Sequence, residues 1–273
     1  QENARLLAER GVELIGPDEG ETAEGELGVG RMAEPEDIFA RGEELLAHAH
    51  ELDGVRVLVS AGGTREPLDA VRFVGNRSSG RMGVALAAEA ARRGAEVTLL
   101  AANLAVRPPS EIETVETPTA ADLAREALGR APHADLVVMA AAVADYRPAE
   151  ARADKRPKDA SNWTVELEPT TDVLAELGRS PRNGRVLVGF AADTGRGGLE
   201  RARAKLERKG ANLLVFNDVS RSDIGFDVAD NEVVLLTANE ERRIGKAPKH
   251  RIAAAILDEA QRLLREANGR ARD

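Results

Sequence analysis

The feature that most constrains this chain is an apolar run that ends in two adjacent glycines. Val55, Val57, Leu58 and Val59 lead through Ser60 and Ala61 to Gly62-Gly63. A polar loop follows, and at Ser78-Ser79-Gly80 a helical pattern begins. This order predicts a buried strand, an anion-holding loop and a helix start. Glycines let backbone N–H groups approach a phosphate, and a helix N-terminus adds partial positive charge. The loop over 62–78 exceeds the ~12–15 residues beyond which a structureless connection is usually functional. The expectation is a nucleotide or another phosphate ligand, its identity still open.

Downstream, strand and helix patterns alternate. Strands are predicted over 55–61, 96–101, 135–141, 186–191 and 212–216, and helices over 80–93, 119–130, 171–178 and 197–209. A charged loop spans 145–160, with a strand near 163–168 after it. Two late strands, 232–237 and 241–245, precede a helix over 248–266. Such alternation predicts an α/β chain: a Rossmann-like, mainly parallel sheet with helices on both faces and a small antiparallel extension. Residues 1–54 read differently, as a glycine-rich acidic segment followed by a helix from Pro35 to Leu52. Ligands of such sheets bind beyond the carboxyl ends of the strands. Those places carry Gly62-Gly63-Thr64, Ala142-Val143-Ala144-Asp145-Tyr146, Phe190-Ala191-Ala192-Asp193-Thr194 and Asn217-Asp218-Val219-Ser220.

A net charge of −9 argues against a nucleic-acid partner. No apolar run has the length of a membrane span. The chain has no cysteine, which excludes disulfides, thiolate metal sites and a cysteine nucleophile, and fits a cytoplasmic setting. It begins with Gln1, and is read as a piece of a longer protein. Of 38 basic residues only six are lysine: Lys155, Lys158, Lys205, Lys209, Lys246 and Lys249. In a chain that so prefers arginine, each lysine is either a compact point charge for a phosphate or an ordinary surface cation. The histidines are scattered without metal-ligand spacing. Trp163 is expected in core or subunit packing. A dinucleotide-binding oxidoreductase fits poorly, because G-x-G-x-x-G does not follow the first strand and no acidic residue ends the second.

Val59 to Gly83, Ala140 to Pro148, Gly189 to Thr194 and Asn217 to Ser220 together resemble phosphopantothenate–cysteine ligase, as found in the ligase half of the bacterial bifunctional coenzyme A biosynthesis protein. The resemblance runs from Val55 to about Leu264. It implies a ligase domain over 55–273. Residues 1–54, where Gly25 to Met32 precede Glu34-Pro35, resemble the end of a flavin-dependent decarboxylase half. The family's catalytic cysteine falls at Glu24, so neither decarboxylase activity nor flavin is expected.

The resemblance implies joining of 4′-phosphopantothenate to L-cysteine with CTP and Mg²⁺ through an acyl-cytidylate, in a homodimer. It assigns Lys155 to a mobile flap over the triphosphate, although Lys155-Arg156-Pro157-Lys158 departs from the family's Lys-x-Lys-Lys at Pro157. Asn76 handles the intermediate, while Arg72 and Ala142 lie at the phosphopantothenate site. Gly62, Gly63, Ser78, Ser79, Gly80, Met139, Ala140, Ala141, Asp145, Thr171, Asp172, Val173, Leu174, Phe190, Lys205 and Lys209 are expected around the nucleotide. No metal ligands are implied. An ATP-using variant and a nucleotide-binding module without turnover stay open, as does a plain helix-capping role for Thr170 or Thr171.

Overall fold

The computed structural model describes residues 3–4, 7, 12, 14–21, 27–47, 50–158, 161–193, 197–218 and 230–270. Its centre is an eight-stranded sheet in the order β14-β13-β12-β11-β8-β3-β6-β7. The inner strands are β3 (Arg56–Gly62), β6 (Glu96–Ala102), β8 (Leu136–Met139), β11 (Val186–Asp193) and β12 (Leu213–Asp218). These pair in parallel, as does the edge strand β7 (Glu113–Glu116). At the other edge β13 (Asp230–Leu236) and β14 (Glu241–Pro248) pair antiparallel. The α/β class, the mainly parallel sheet and the late antiparallel extension thus agree with the sequence pattern.

Side-chain alternation sorts the sheet into two faces. Val57, Val59, Leu136, Val138, Val186, Val188, Leu213 and Val215 face α2 (Arg81–Arg92) and α6 (Lys249–Arg270). The alternate positions Leu58, Leu100, Val137 and Leu187 face α3 (Ala120–Arg130) and α4 (Val173–Arg179). Leu214 and Phe216 face α5 (Gly198–Lys209). A further helix, α1 (Pro35–Ala47), and the antiparallel pair β1 (Asp18–Glu21) and β2 (Leu27–Arg31) precede this body.

Several expectations change. The long loop after Gly63 carries a small antiparallel pair, β4 (Arg65–Pro67) and β5 (Phe73–Gly75). The charged loop carries β9 (Tyr146–Pro148), whose partner β10 (Leu167–Pro169) replaces the longer strand expected near 163–168. These strands are too short for a clear alternation. Edge strand β7 also escaped prediction, since three of its four residues (Glu113, Thr114 and Glu116) are polar. Trp163 lies in no core cluster. It is half-buried, with the Arg72 and Arg156 guanidinium carbons 5.2 and 5.0 Å from its ring centre. Helix α4 starts at Val173 and is capped by neither threonine, because the Asp172 carboxylate accepts from Ala175 N–H at 3.1 Å.

Candidate functional site

The carboxyl ends of β8, β11 and β12 open into one cleft of about 800 Å³. That lies within the ~300–1,000 Å³ usual for small-molecule sites. One wall is the start of α2. Gly80 has φ +80°, and a Cβ there would sit 2.4 Å from Leu104, so glycine is required to turn into the helix. Gly80 itself offers no side-chain cap, and the positive end of α2 faces the cleft. Ser78, Ser79 and Gly80 all line the cleft.

The floor is the segment after β8, stitched to the end of β3. Ala142 N–H donates to Gly62 O at 2.8 Å, and Thr64 N–H donates to Ala142 O at 3.2 Å. The Ser60 and Thr64 hydroxyls accept from Ala141 and Ala144 N–H. These bonds hold Met139, Ala140, Ala141, Ala142 and Asp145 along the cleft. Asn76 reaches the same floor, where its Nδ2 donates to Val143 O at 2.8 Å.

The opposite wall is cationic. Lys205 and Lys209, one turn apart on α5, line the cleft with Thr171, Asp172, Val173, Leu174 and Phe190. Lys205 Nζ donates to Phe190 O at 2.8 Å. Burial pulls its pKa below the usual lysine value, while Asp145 opposes that shift. Lys209 pairs with the Asp172 carboxylate, not with Glu200 or Glu207 on its own helix.

Four expected residues stand outside this lining: Gly62, Gly63, Arg72 and Lys155. For the glycines the reason is that sheet and loop already use their backbones. Gly63 N–H donates to Ala102 O at 2.8 Å, and a Cβ on Gly62 would lie 1.9 Å from that oxygen. They shape the site from behind, and the Gly63 N–H is taken by Ala102 O and not left for a phosphate. Arg72 is held instead by Asp69 at 3.2 Å, and it donates to Arg156 O. Lys155 is exposed on a segment docked onto the β4–β5 turn, where Arg152 N–H donates to Leu68 O and Arg156 N–H to Asp69.

The cleft also gathers Tyr146 and Asn217 from the expected strand ends, and Arg208, Asn231 and Lys249, which were not among the expected site residues. Lys249 was visible as one of the six lysines. Asn231 gave no signal, because nothing in a short strand sequence tells a buried amide from an exposed one. Thr194, Val219 and Ser220, and Glu24 in the first segment, lie outside the described residues. Among the described residues, no group of three or more His, Asp or Glu side chains is placed to hold a metal ion by itself, and no helix is long and apolar enough to cross a membrane.

Residues 52–264 match the family described as DNA/pantothenate metabolism flavoprotein C-terminal domain. The chain is 41% identical, over 98% of its own length and 68% of the relative's, to the coenzyme A biosynthesis bifunctional protein CoaBC of Mycolicibacterium smegmatis. It is 35% identical to the Haemophilus influenzae protein of that name, over 95% of this chain and 64% of that one. It thus spans about two thirds of the length of these relatives. A crystal structure of the C-terminal domain of a coenzyme A biosynthesis bifunctional protein CoaBC superposes with a TM-score of 0.68 at 35% identity, covering 80% of this chain and 99% of that one. The chain therefore belongs to the DNA/pantothenate metabolism flavoprotein C-terminal domain family.

Proposed function

We propose that this chain carries the phosphopantothenate–cysteine ligase step of coenzyme A biosynthesis. The observation that carries the reading is the convergence of Asn76, Ala142, Asp145, Phe190 and Lys205 on one cleft in a chain of this family. The reaction joins a carboxylate to an amine, and a bare carboxylate is a poor electrophile. In the proposed scheme the 4′-phosphopantothenate carboxylate attacks the α-phosphate of CTP and pyrophosphate leaves. The cysteine amine then attacks the acyl carbon and CMP leaves.

The protein's part in this scheme is positioning and charge stabilisation. Lys205 and Lys209 meet the polyphosphate, with the positive end of α2 facing them across the cleft. Asn76 presents an amide to the acyl group, and small Ala142 leaves room for the pantothenate arm. Lys155 joins the site when its segment closes. Magnesium fits a site of this kind as a guest of the triphosphate, since Mg²⁺ commonly takes one or two carboxylates together with substrate phosphates. Asp145 is the carboxylate that would hold it, and the ion would supply charge neutralisation.

A homodimer is part of the same proposal. Phe73, Tyr146 and Leu167 are exposed apolar side chains on the two small sheets, and β4 packs against β9. A second copy would cover that surface. Residues 1–54 are proposed to belong to a flavin-dependent decarboxylase half. The test is pyrophosphate release with 4′-phosphopantothenate and Mg²⁺, comparing CTP with ATP, with and without L-cysteine. Product formation with CTP that requires cysteine is expected. Preference for ATP would replace the nucleotide, and no release with either would leave a binding module.

A further inference from the structure

Trp163, which the scheme above leaves without a role, joins two parts of the protein that lie outside the cleft lining. Its ring centre is 5.2 Å from the Arg72 guanidinium carbon and 5.0 Å from that of Arg156. The two arginines are 84 residues apart in the chain. Arg72 closes the β4–β5 turn, and Arg156 directly follows Lys155. They also touch each other, since the Arg72 side chain donates to Arg156 O at 3.2 Å. Like charges repel, so two guanidiniums brought this close need compensation. The buried Asp69 carboxylate supplies part of it, 3.2 Å from the Arg72 guanidinium and accepting Arg156 N–H at 3.2 Å. The indole face supplies more, because its quadrupole attracts a cation within about 6 Å of the ring centre. The Arg156 side chain also donates to Ser161 Oγ at 3.3 Å, which ties it back toward the tryptophan.

We propose that Trp163 is a positioning residue: its ring holds Arg156 beside Arg72 and so fixes where the segment bearing Lys155 leaves the β4–β5 turn. This rests on the ligase reading and extends it. A lysine on an unrestrained loop reaches a phosphate in many orientations. Stacking its direct neighbour on a ring removes much of that freedom before a substrate arrives. Asp69 holds the Arg156 backbone and Trp163 holds its side chain, so two anchors act on one residue from different directions. Pro157, on the far side of Arg156, adds a fixed φ. An aromatic face suits this place better than a second carboxylate. A carboxylate would compete for the Arg72 guanidinium, which the proposed reaction needs for an anionic substrate. A ring face offsets the repulsion and leaves both guanidiniums charged.

The experiment compares wild type, Trp163→Leu and Trp163→Phe by limited trypsin digestion without ligands, with cleavage after Lys155 followed by mass spectrometry. Cleavage there tracks the population of the undocked segment. Trp163→Leu keeps apolar bulk and loses the ring. It is expected to be cut about tenfold faster, the worth of a partly desolvated cation–π contact. Trp163→Phe restores a ring face and is expected within about threefold of wild type. In pyrophosphate release, Trp163→Leu is expected to lower kcat about tenfold with KM for CTP unchanged, and Trp163→Phe to recover most of the loss. Urea midpoints near wild type are expected for both, since the ring lies in no core cluster. Unchanged cleavage in Trp163→Leu, or equal losses in the two variants, would overturn the assignment. A lowered midpoint that accounts for the losses, or faster cleavage with kcat intact, would leave Trp163 a structural residue and overturn it as well. A wild type without turnover overturns the ligase reading, and Trp163 is then judged on the cleavage rates and midpoints alone.

Discussion

Lys205 is the residue at which burial and charge conflict most directly in the cleft. Its ammonium is half-buried on the Phe190 carbonyl, and burial holds its pKa below the ordinary lysine value of 10.5. The folded protein therefore binds fewer protons than the unfolded chain between the two pKa values, and stability rises with pH through that window. Urea unfolding across the alkaline range below 10.5 is expected to show this rise in wild type and a flatter profile in Lys205→Met. An anion in the cleft opposes the depression, so the same substitution weakens CTP binding by about tenfold, the worth of one charge-assisted contact. Equal slopes and equal affinities would remove Lys205 from the site. Lys155 makes the contrasting case, an exposed lysine whose proposed role depends on movement. Lys155→Gln is expected to slow pyrophosphate release by about a hundredfold, in the range of other lost charge stabilisers, with little change in unfolding midpoint. Unimpaired release would show that the segment does not close over the reacting phosphate.

At the scale of elements, the β4–β5 turn acts as the anchor of the segment that carries Lys155. The Asp69 side chain is buried, and its carboxylate accepts from Val71, Arg72 and Arg156 N–H while facing the Arg72 guanidinium. Burial pushes its pKa up, but these donors outweigh burial and hold it below the usual carboxylate range. A depressed folded pKa means that the anchor persists above the ordinary carboxylate value and loosens only as pH falls through the depressed one. Asp69→Asn removes the charge and keeps the shape. Faster tryptic cleavage after Lys155 is expected, together with a red shift in the emission of Trp163, the only tryptophan. Unchanged cleavage and emission would mean that the turn does not hold the segment. The end of β3 shows the other kind of element-level constraint. Gly62 has φ +89°, and its missing Cβ leaves room for Ala102 O. Gly62→Ala is expected to cost more than about 2 kcal/mol in urea unfolding, since strain and overpacking combine there. A smaller loss would show that β6 yields easily.

Across the whole molecule, one buried arginine ties distant parts of the chain together. Arg93, 1% exposed at the end of α2, donates to Glu89 at 2.8 Å, to Asp258 on α6 at 2.7 Å and to Ala254 O. Burial penalises the Glu89 carboxylate, and hydrogen bonds from Arg92 and Arg93 more than offset this. Arg93→Met leaves these carboxylates without their buried partner, so a loss of about 3 kcal/mol is expected from denaturant unfolding. A variant as stable as wild type would show that apolar packing alone joins α2 to α6. The sequence by itself determined the layered α/β body and the strand ends where the cleft lies, because runs such as Val55–Val59 and Leu136–Met139 can be buried only as strands covered on both faces. It also pointed to the strand ends that line the cleft, such as Ala142, Asp145 and Phe190, while the resemblance supplied the helix residues Lys205 and Lys209. Tertiary structure alone decided which polar groups face the cleft and which are consumed by the scaffold. Gly63 and Arg72 have the composition of ligand-binding groups, yet Ala102 O takes the Gly63 N–H and Asp69 holds the Arg72 guanidinium. Asn217, a polar strand-end residue by its letter, becomes a buried acceptor with no donor among the described residues only when β12 lies between β11 and β13 with α2 and α6 across its face. The physical reason is that hydrogen-bond satisfaction depends on partners far apart in the chain, whereas burial of an apolar run depends mainly on the run itself.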